Sequence, residues 1–324
     1  MPKCRILLIT RSLLTEGFYE ALNEALGGIN DVEFETIYLE SYEVNEVSRQ
    51  LSTVKRPDTA LLSLMGDYPE LLNYLRDWLR GTSIIFTLST GLETIMLTRV
   101  HNYELGELLA GTLSTRNNSS ESANYFDPKT FSRMLHEISK SLTDPVSHHL
   151  ENWALLIDYW RNWRRENIIN MVRLVLREYC NIEAPAPRPP IELGDYWIED
   201  DKGNVYHGIN EFMMRRRLKA PFIVLLAYSG QSYDKAKKII THIVRSRADA
   251  VPLLSNYGYT LRGLKELLSD VSVGAILDLQ WFRLVRNRED ADVLPKFNVP
   301  VMNPVVMYGR DIDAWIRDNG AQPN

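Results

Sequence analysis

Cysteine is nearly absent from this chain of 324 residues: there are only Cys4 and Cys180. Two thiols so far apart give neither a disulfide framework nor a CxxC zinc site, and their scarcity points to a reducing cytoplasm. No run of about 18 apolar residues occurs, which excludes a membrane-spanning helix. The opening Met1-Pro2-Lys3-Cys4-Arg5 leads straight into Ile6-Leu7-Leu8-Ile9, too short for a secretory core and readable as a first strand. A basic excess is missing as well. With 37 Lys+Arg against 42 Asp+Glu, the net charge of −5 argues against a nucleic-acid partner. Familiar catalytic signatures are also lacking. There is no GxGxxG after the first strand, no GxxxxGK[ST], no HExxH and no GxSxG. Dinucleotide, P-loop, zinc-protease and serine-hydrolase chemistry thereby lose their main support.

What is present is the balance of a globular protein, 45% hydrophobic and 24% charged, with length for about two domains. Apolar β-rich runs alternate with helical periods. Strands are expected at Cys4–Thr10, Val32–Leu39, Thr59–Leu64 and Ser83–Leu88, with helices at Glu16–Leu26, Val44–Val54 and Tyr68–Leu79. That spacing argues for βαβ units and a parallel sheet. From Gly91 to about Ile138 the pattern turns helical and less regular, with a polar loop at Ser114–Asn124. A long apolar-faced run over Pro145–Tyr179 is one bent helix or two.

Ala184-Pro185-Ala186-Pro187-Arg188-Pro189-Pro190 is the clearest boundary, since clustered prolines favour a stiff extended segment. Beyond it the opening pattern returns. Strands are expected at Phe222–Ala227, Ala248–Leu254 and Val273–Leu279, and a fourth near Val299–Pro304. Helices are expected at Tyr233–Arg245 and Leu261–Leu268. The fold class is α/β: two Rossmann-like, flavodoxin-like lobes with parallel sheets, joined by a helical section. The expected division is residues 1–112 for the first lobe and 113–183 for the helical connector. Residues 184–220 form a proline-rich linker and loop segment, and 221–324 the second lobe. Two such lobes commonly bind a ligand at the carboxyl ends of their strands.

Candidate site residues follow from that placement. Tyr228, Ser229 and Gly230 end the first strand of the second lobe, where hydroxyls and backbone N–H groups can meet an anion or simply cap a helix. Thr10-Arg11-Ser12 holds the equivalent place in the first lobe. Gly66 and Asp67, and Asp278 with Leu279-Gln280, end the third strands; they face a cleft or cap the next helices. Among six histidines, His148 and His149 are adjacent on a helix and point about 100° apart, so they cannot readily share a metal ion. His207, after Tyr206 in a glycine-flanked loop, is placed for a ligand or a backbone hydrogen bond. Arg216, within Arg215-Arg216-Arg217, suits carboxylates or a solvated helix end.

Several short segments together resemble the amino-terminal part of the cobaltochelatase CobN / magnesium chelatase H subunit family. They are Pro189-Pro190-Ile191-Glu192, Gly203-Asn204-Val205-Tyr206-His207, the strand ending in Tyr228-Ser229, Asp249-Ala250-Val251-Pro252-Leu253, Phe297-Asn298-Val299-Pro300-Val301 and Leu64-Met65-Gly66-Asp67. Gly208 stands where that family has proline, and Gly230-Gln231 replaces its Arg-Ser-His turn. The resemblance implies a tetrapyrrole ligand and cobalt or magnesium as the substrate ion. It also implies ATP used by AAA+ partner subunits. The family's large subunits are several times longer, so the chain looks like a stand-alone amino-terminal portion, a shortened relative, or a split subunit that works with a separate carboxyl-terminal chelatase chain. No cofactor is bound by motif. The contrasting readings are a non-enzymatic two-lobed cytoplasmic binding or regulatory module, and a two-lobed glycosyltransferase for which no donor-binding motif is present.

Overall fold

The computed structural model describes residues 3–12, 14–64, 66–109, 127–200, 202–219, 221–228, 242, 249–256, 259–280, 284–285 and 288–303. The loop at 114–124 and, apart from residue 242, the helix expected over Tyr233–Arg245 lie outside them. The described residues divide into two compact units, one running to Glu192 and the other beginning at Leu193.

In the first unit, β1 (Cys4–Thr10), β2 (Val32–Tyr38), β3 (Thr59–Ser63), β4 (Ile84–Thr87) and β5 (Arg99–Val100) form one sheet in the order β2-β1-β3-β4-β5. All neighbours are parallel except the short edge strand β5. The run Ile6-Leu7-Leu8-Ile9 is uninterrupted because β1 is covered on both faces. Ile6 and Leu8 enter one core with Phe18, Phe86 and Trp153, while Leu7 and Ile9 enter another with Leu62, Leu71 and Leu75. The alternation is the two-residue period of a strand.

The helices of this unit are α1 (Glu16–Leu26), α2 (Val44–Leu51), α3 (Pro69–Trp78), α4 (Leu92–Ile95), α5 (Pro128–Ser139), α6 (Val146–Arg161) and α7 (Arg165–Tyr179). The long apolar run is therefore two helices. Asn162 closes α6 with its backbone N–H on the Asp158 carbonyl, and Arg164 is already extended. Buried amides on α7 then hold the proline segment. Asn170 Oδ1 accepts from Arg188 N–H at 3.0 Å, and Asn167 exchanges two hydrogen bonds with the Ile191 backbone. Proline offers no N–H, so side-chain amides reach the N–H groups that remain.

The structure pairs the two cysteines, although their distance apart in sequence gave no reason to expect a disulfide. Cys4 and Cys180 form a disulfide with a Cα–Cα distance of 5.5 Å. Packing of α7 against α1 and the sheet brings the residue after α7 to the amino end of β1. A contact between positions 176 residues apart leaves no trace in local spacing.

The second unit repeats the plan. Its strands are β6 (Tyr196–Glu199), β7 (Val205–Tyr206), β8 (Phe222–Tyr228), β9 (Ala250–Ser255), β10 (Val273–Asp278) and β11 (Val301–Met302), in the order β11-β10-β8-β9-β6-β7. The strands β8 to β11 are parallel and keep the relative order of β1 to β4, second-first-third-fourth, so the expected recurrence is one of topology. The hairpin β6–β7 runs antiparallel along the β9 edge. Its helices are α8 (Ile209–Arg216), α9 (Thr260–Leu268), α10 (Arg288–Ala291) and α11 (Leu294–Phe297).

Candidate functional site

In both units the strand order reverses between the first and third parallel strands, where ligands of open α/β sheets bind. In the second unit that place lies between β8 and β10. Asp278 ends β10 and is buried, 3% exposed. Its Oδ1 accepts from Gln280 N–H at 3.0 Å, and its Oδ2 accepts from Asn303 Nδ2 at 2.9 Å. Burial pushes its carboxyl above the ordinary carboxylate range, although both hydrogen bonds oppose the shift. Beside it, the Ser255 and Thr260 hydroxyls share a hydrogen bond of 2.6 Å. Thr260 Oγ1 also donates to Gln280 Oε1 at 2.9 Å. Gln280 Nε2 donates back to Ser255 Oγ at 3.5 Å. The carboxyl ends of β9 and β10 and the start of α9 are thus tied into one polar cluster with Asp278, a group that can hold or release a proton.

The other residues expected in this unit do not gather there. Tyr206 and His207 follow one another at β7, four strands from β10, roughly 19 Å at about 4.8 Å per strand. The Tyr206 side chain is in the core, edge-on to Phe212, and its hydroxyl donates to Asp200 Oδ2 at 3.1 Å. His207 faces solvent. Arg216 is half-buried in the last turn of α8. There Arg215 pairs with Glu211 and Arg217 takes the left-handed C-cap, an arrangement in which cations complement the helix dipole. Tyr228 ends β8, and Ser229 and Gly230 lie outside the described residues.

In the first unit the reversal falls between β1 and β3. Gly66 has φ +97°, and a side chain there would press on the Tyr68 ring. Asp67 is occupied. Its carboxylate accepts from the N–H groups of Glu93 and Thr94 and from Thr94 Oγ1, and so caps α4 rather than the next helix in sequence. Gly91 is required beside it, since a Cβ there would lie 2.3 Å from Asp67 Oδ1.

Arg11, Tyr42 and Tyr68 assemble at the same end. The Arg11 guanidinium lies 4.6 Å from the Tyr42 ring centroid, and Tyr42 stacks on Tyr68 at 3.5 Å and 18°. Burial, then the neighbouring Tyr68, pushes the Tyr42 phenol up to about 12 against the opposing pull of Arg11. Neither tyrosine stands out in the sequence, because they sit in loops after different strands and share no motif.

A further cluster lies on α5 and α6. His136 Nδ1 is 2.8 Å from Glu151 and Nε2 is 3.2 Å from Asp158, which Arg161 also meets at 2.8 Å. The Asp158 hydrogen bond raises the His136 pKa above its ordinary value despite burial. Asp158 is held low: burial would raise it, but His136, Arg161 and Ser132 outweigh that. Among the described residues no group of three or more His, Cys, Asp or Glu has the arrangement of a metal site.

A family model described as CobN/Magnesium Chelatase matches residues 157–324, which include α7, the proline segment and the whole second unit. The chain belongs to this family. Among relatives, it is 23% identical over 304 residues to the magnesium-chelatase H subunit of Chlorobaculum parvum, covering 88% of this chain and 22% of that protein. Among solved structures, the "Catalytic Subunit of Cobaltochelatase from Mycobacterium tuberculosis" aligns with 93% of this chain and 21% of its own. The TM-score there is 0.41 at 10% identity. The chain thus spans about a fifth of the length of the chelatase subunits it matches. Among the described residues no helix is long and apolar enough to cross a membrane.

Proposed function

We propose that this chain is a tetrapyrrole-binding component, equivalent to an amino-terminal part of a chelatase large subunit, in a machine that inserts cobalt or magnesium into the ring. Its support is the family match over 157–324, which contains the buried carboxyl of Asp278 at a strand-order reversal. Insertion of a divalent ion displaces two pyrrole N–H protons. A carboxyl whose pKa is raised by burial is suited to proton exchange at such a step. In this reading the ion is a substrate, ATP is spent by an AAA+ partner, and the work is cytoplasmic.

The test is a titration of the full chain with hydrogenobyrinate diamide and with protoporphyrin IX, read by tryptophan quenching and Soret absorbance. Saturable binding that Asp278→Asn weakens is the expected result. A folded chain that binds neither macrocycle overturns the reading.

A further inference from the structure

The two ends of β1 treat arginine differently. At the amino end, Arg5 Nε meets Glu33 at 3.1 Å. At the carboxyl end, Arg11 is half-buried, and among the described residues it forms no ion pair with a carboxylate. Its Nη1 donates to the Leu39 carbonyl at 2.5 Å, and its plane rests on Tyr42. Asp67, in the loop after β3, is committed to the N-terminus of α4. A partly desolvated cation with no carboxylate partner among the described residues is costly to keep, and an anion recovers that cost.

The strand-order reversal beside Arg11 is where open α/β sheets receive ligands. The loop after β1 leads through α1 to β2 on one side, and the loop after β3 leads through α3 to β4 on the other, so the two diverge at the β1/β3 reversal. Arg11 projects from one side and Tyr68 from the other, and Tyr68 remains 40% exposed at the end of the stack. A guanidinium has five N–H donors in a planar fork, which matches a carboxylate, and a tyrosine face accepts a flat ring.

We propose that Arg11 binds a carboxylate side chain of a planar macrocycle whose ring edge rests against Tyr68. The proposal rests on the tetrapyrrole reading above and gives the first unit a ligand contact of its own. Leu39 and Tyr42 hold the guanidinium in place before the ligand arrives, which lowers the ordering cost of binding.

The experiment compares mesoporphyrin IX with its dimethyl ester, two free-base rings of which only the first carries charged carboxylates. Dissociation constants are read by Soret titration on the full chain and on Arg11→Ala, with melting curves to check folding. Wild type should prefer the diacid, and Arg11→Ala should weaken the diacid at least about tenfold while changing the ester less than about twofold. Arg11→Met, which keeps a stem over Tyr42, replaces the alanine variant if that one does not fold. Equal losses for diacid and ester would mean that Arg11 only supports the loop, and would overturn the proposal while leaving the tetrapyrrole reading intact. So would unchanged binding of both. Failure of the wild-type chain to bind either ring overturns both.

Discussion

A carboxyl buried as deeply as Asp278 is a cost to the fold once it ionises, because its two hydrogen bonds only partly replace water. Its folded pKa lies above the unfolded one. The sign is therefore that its contribution to stability is complete at pH below the ordinary carboxylate range and is lost as pH rises through the folded value. Asp278→Asn should raise the melting temperature at pH 8, by about 1 kcal/mol of stability, and leave it unchanged near pH 3. Paired melting curves at the two pH values check this, and a gain at both would mean that the carboxyl is not the cause. A second residue-scale prediction concerns Gly91. Its φ of −67° suits any residue, so only the approach of Asp67 demands glycine. Gly91→Ala should destabilise by roughly 1–3 kcal/mol in denaturant unfolding, as overpacking does. Combined with Asp67→Ala it should cost less than the sum, since both break the same cap.

Between α5 and α6 the coupling is electrostatic. His136 gains a proton-binding partner in Asp158, so its folded pKa is raised; its contribution is complete below the ordinary histidine value and falls away as pH climbs through the raised one. Asp158 is depressed, so its share is present above the ordinary carboxylate value and lost in acid. The contact is therefore strongest between these limits. A pH series of unfolding free energies should fall as pH climbs above the ordinary histidine value, and His136→Ala should flatten that limb. An unaltered slope in the variant would assign the fall to other groups. Along α7 the same logic of side chain serving another element applies to the proline segment. Asn167→Ala removes the two hydrogen bonds that hold the Ile191 backbone to α7. Protease cleavage between Ala184 and Glu192 should then speed up severalfold relative to wild type, with the rest of the unit intact.

Across the whole first unit, the Cys4–Cys180 bond closes a loop of 176 residues. The chain-entropy estimate for a loop that long is about 5 kcal/mol, and measured disulfides more often give about 2–4. Reduction should lower the melting temperature, and Cys180→Ser should reproduce the reduced value. Thiol titration of the denatured, unreduced protein should find no free cysteine; two free thiols, with no effect of reductant on melting, would contradict the bond. Its presence also bears on compartment, since a persistent disulfide is uncommon in a reducing cytoplasm. Thiol trapping in freshly lysed cells, by alkylation before any oxidation, tests the cytoplasmic assignment directly.

Local order was legible in the residues because it arises from short-range physics. The apolar runs Cys4–Thr10 and Phe222–Ala227 had to be strands covered on both faces, and the 3.6-residue stripe of Glu16–Leu26 had to be a helix. The recurrence of that pattern after the prolines was enough to expect two α/β lobes, and the motifs around Gly203–His207 to expect kinship with the chelatases. Tertiary structure decided everything that depends on distance in space. It joined Cys4 to Cys180, turned Asp67 toward α4, split Tyr206 and His207 between core and solvent, and stacked Arg11, Tyr42 and Tyr68 from three separate loops. Propensity and periodicity act over a turn or a pleat, whereas a site at strand ends is assembled by crossovers that bring distant residues to one edge of a sheet.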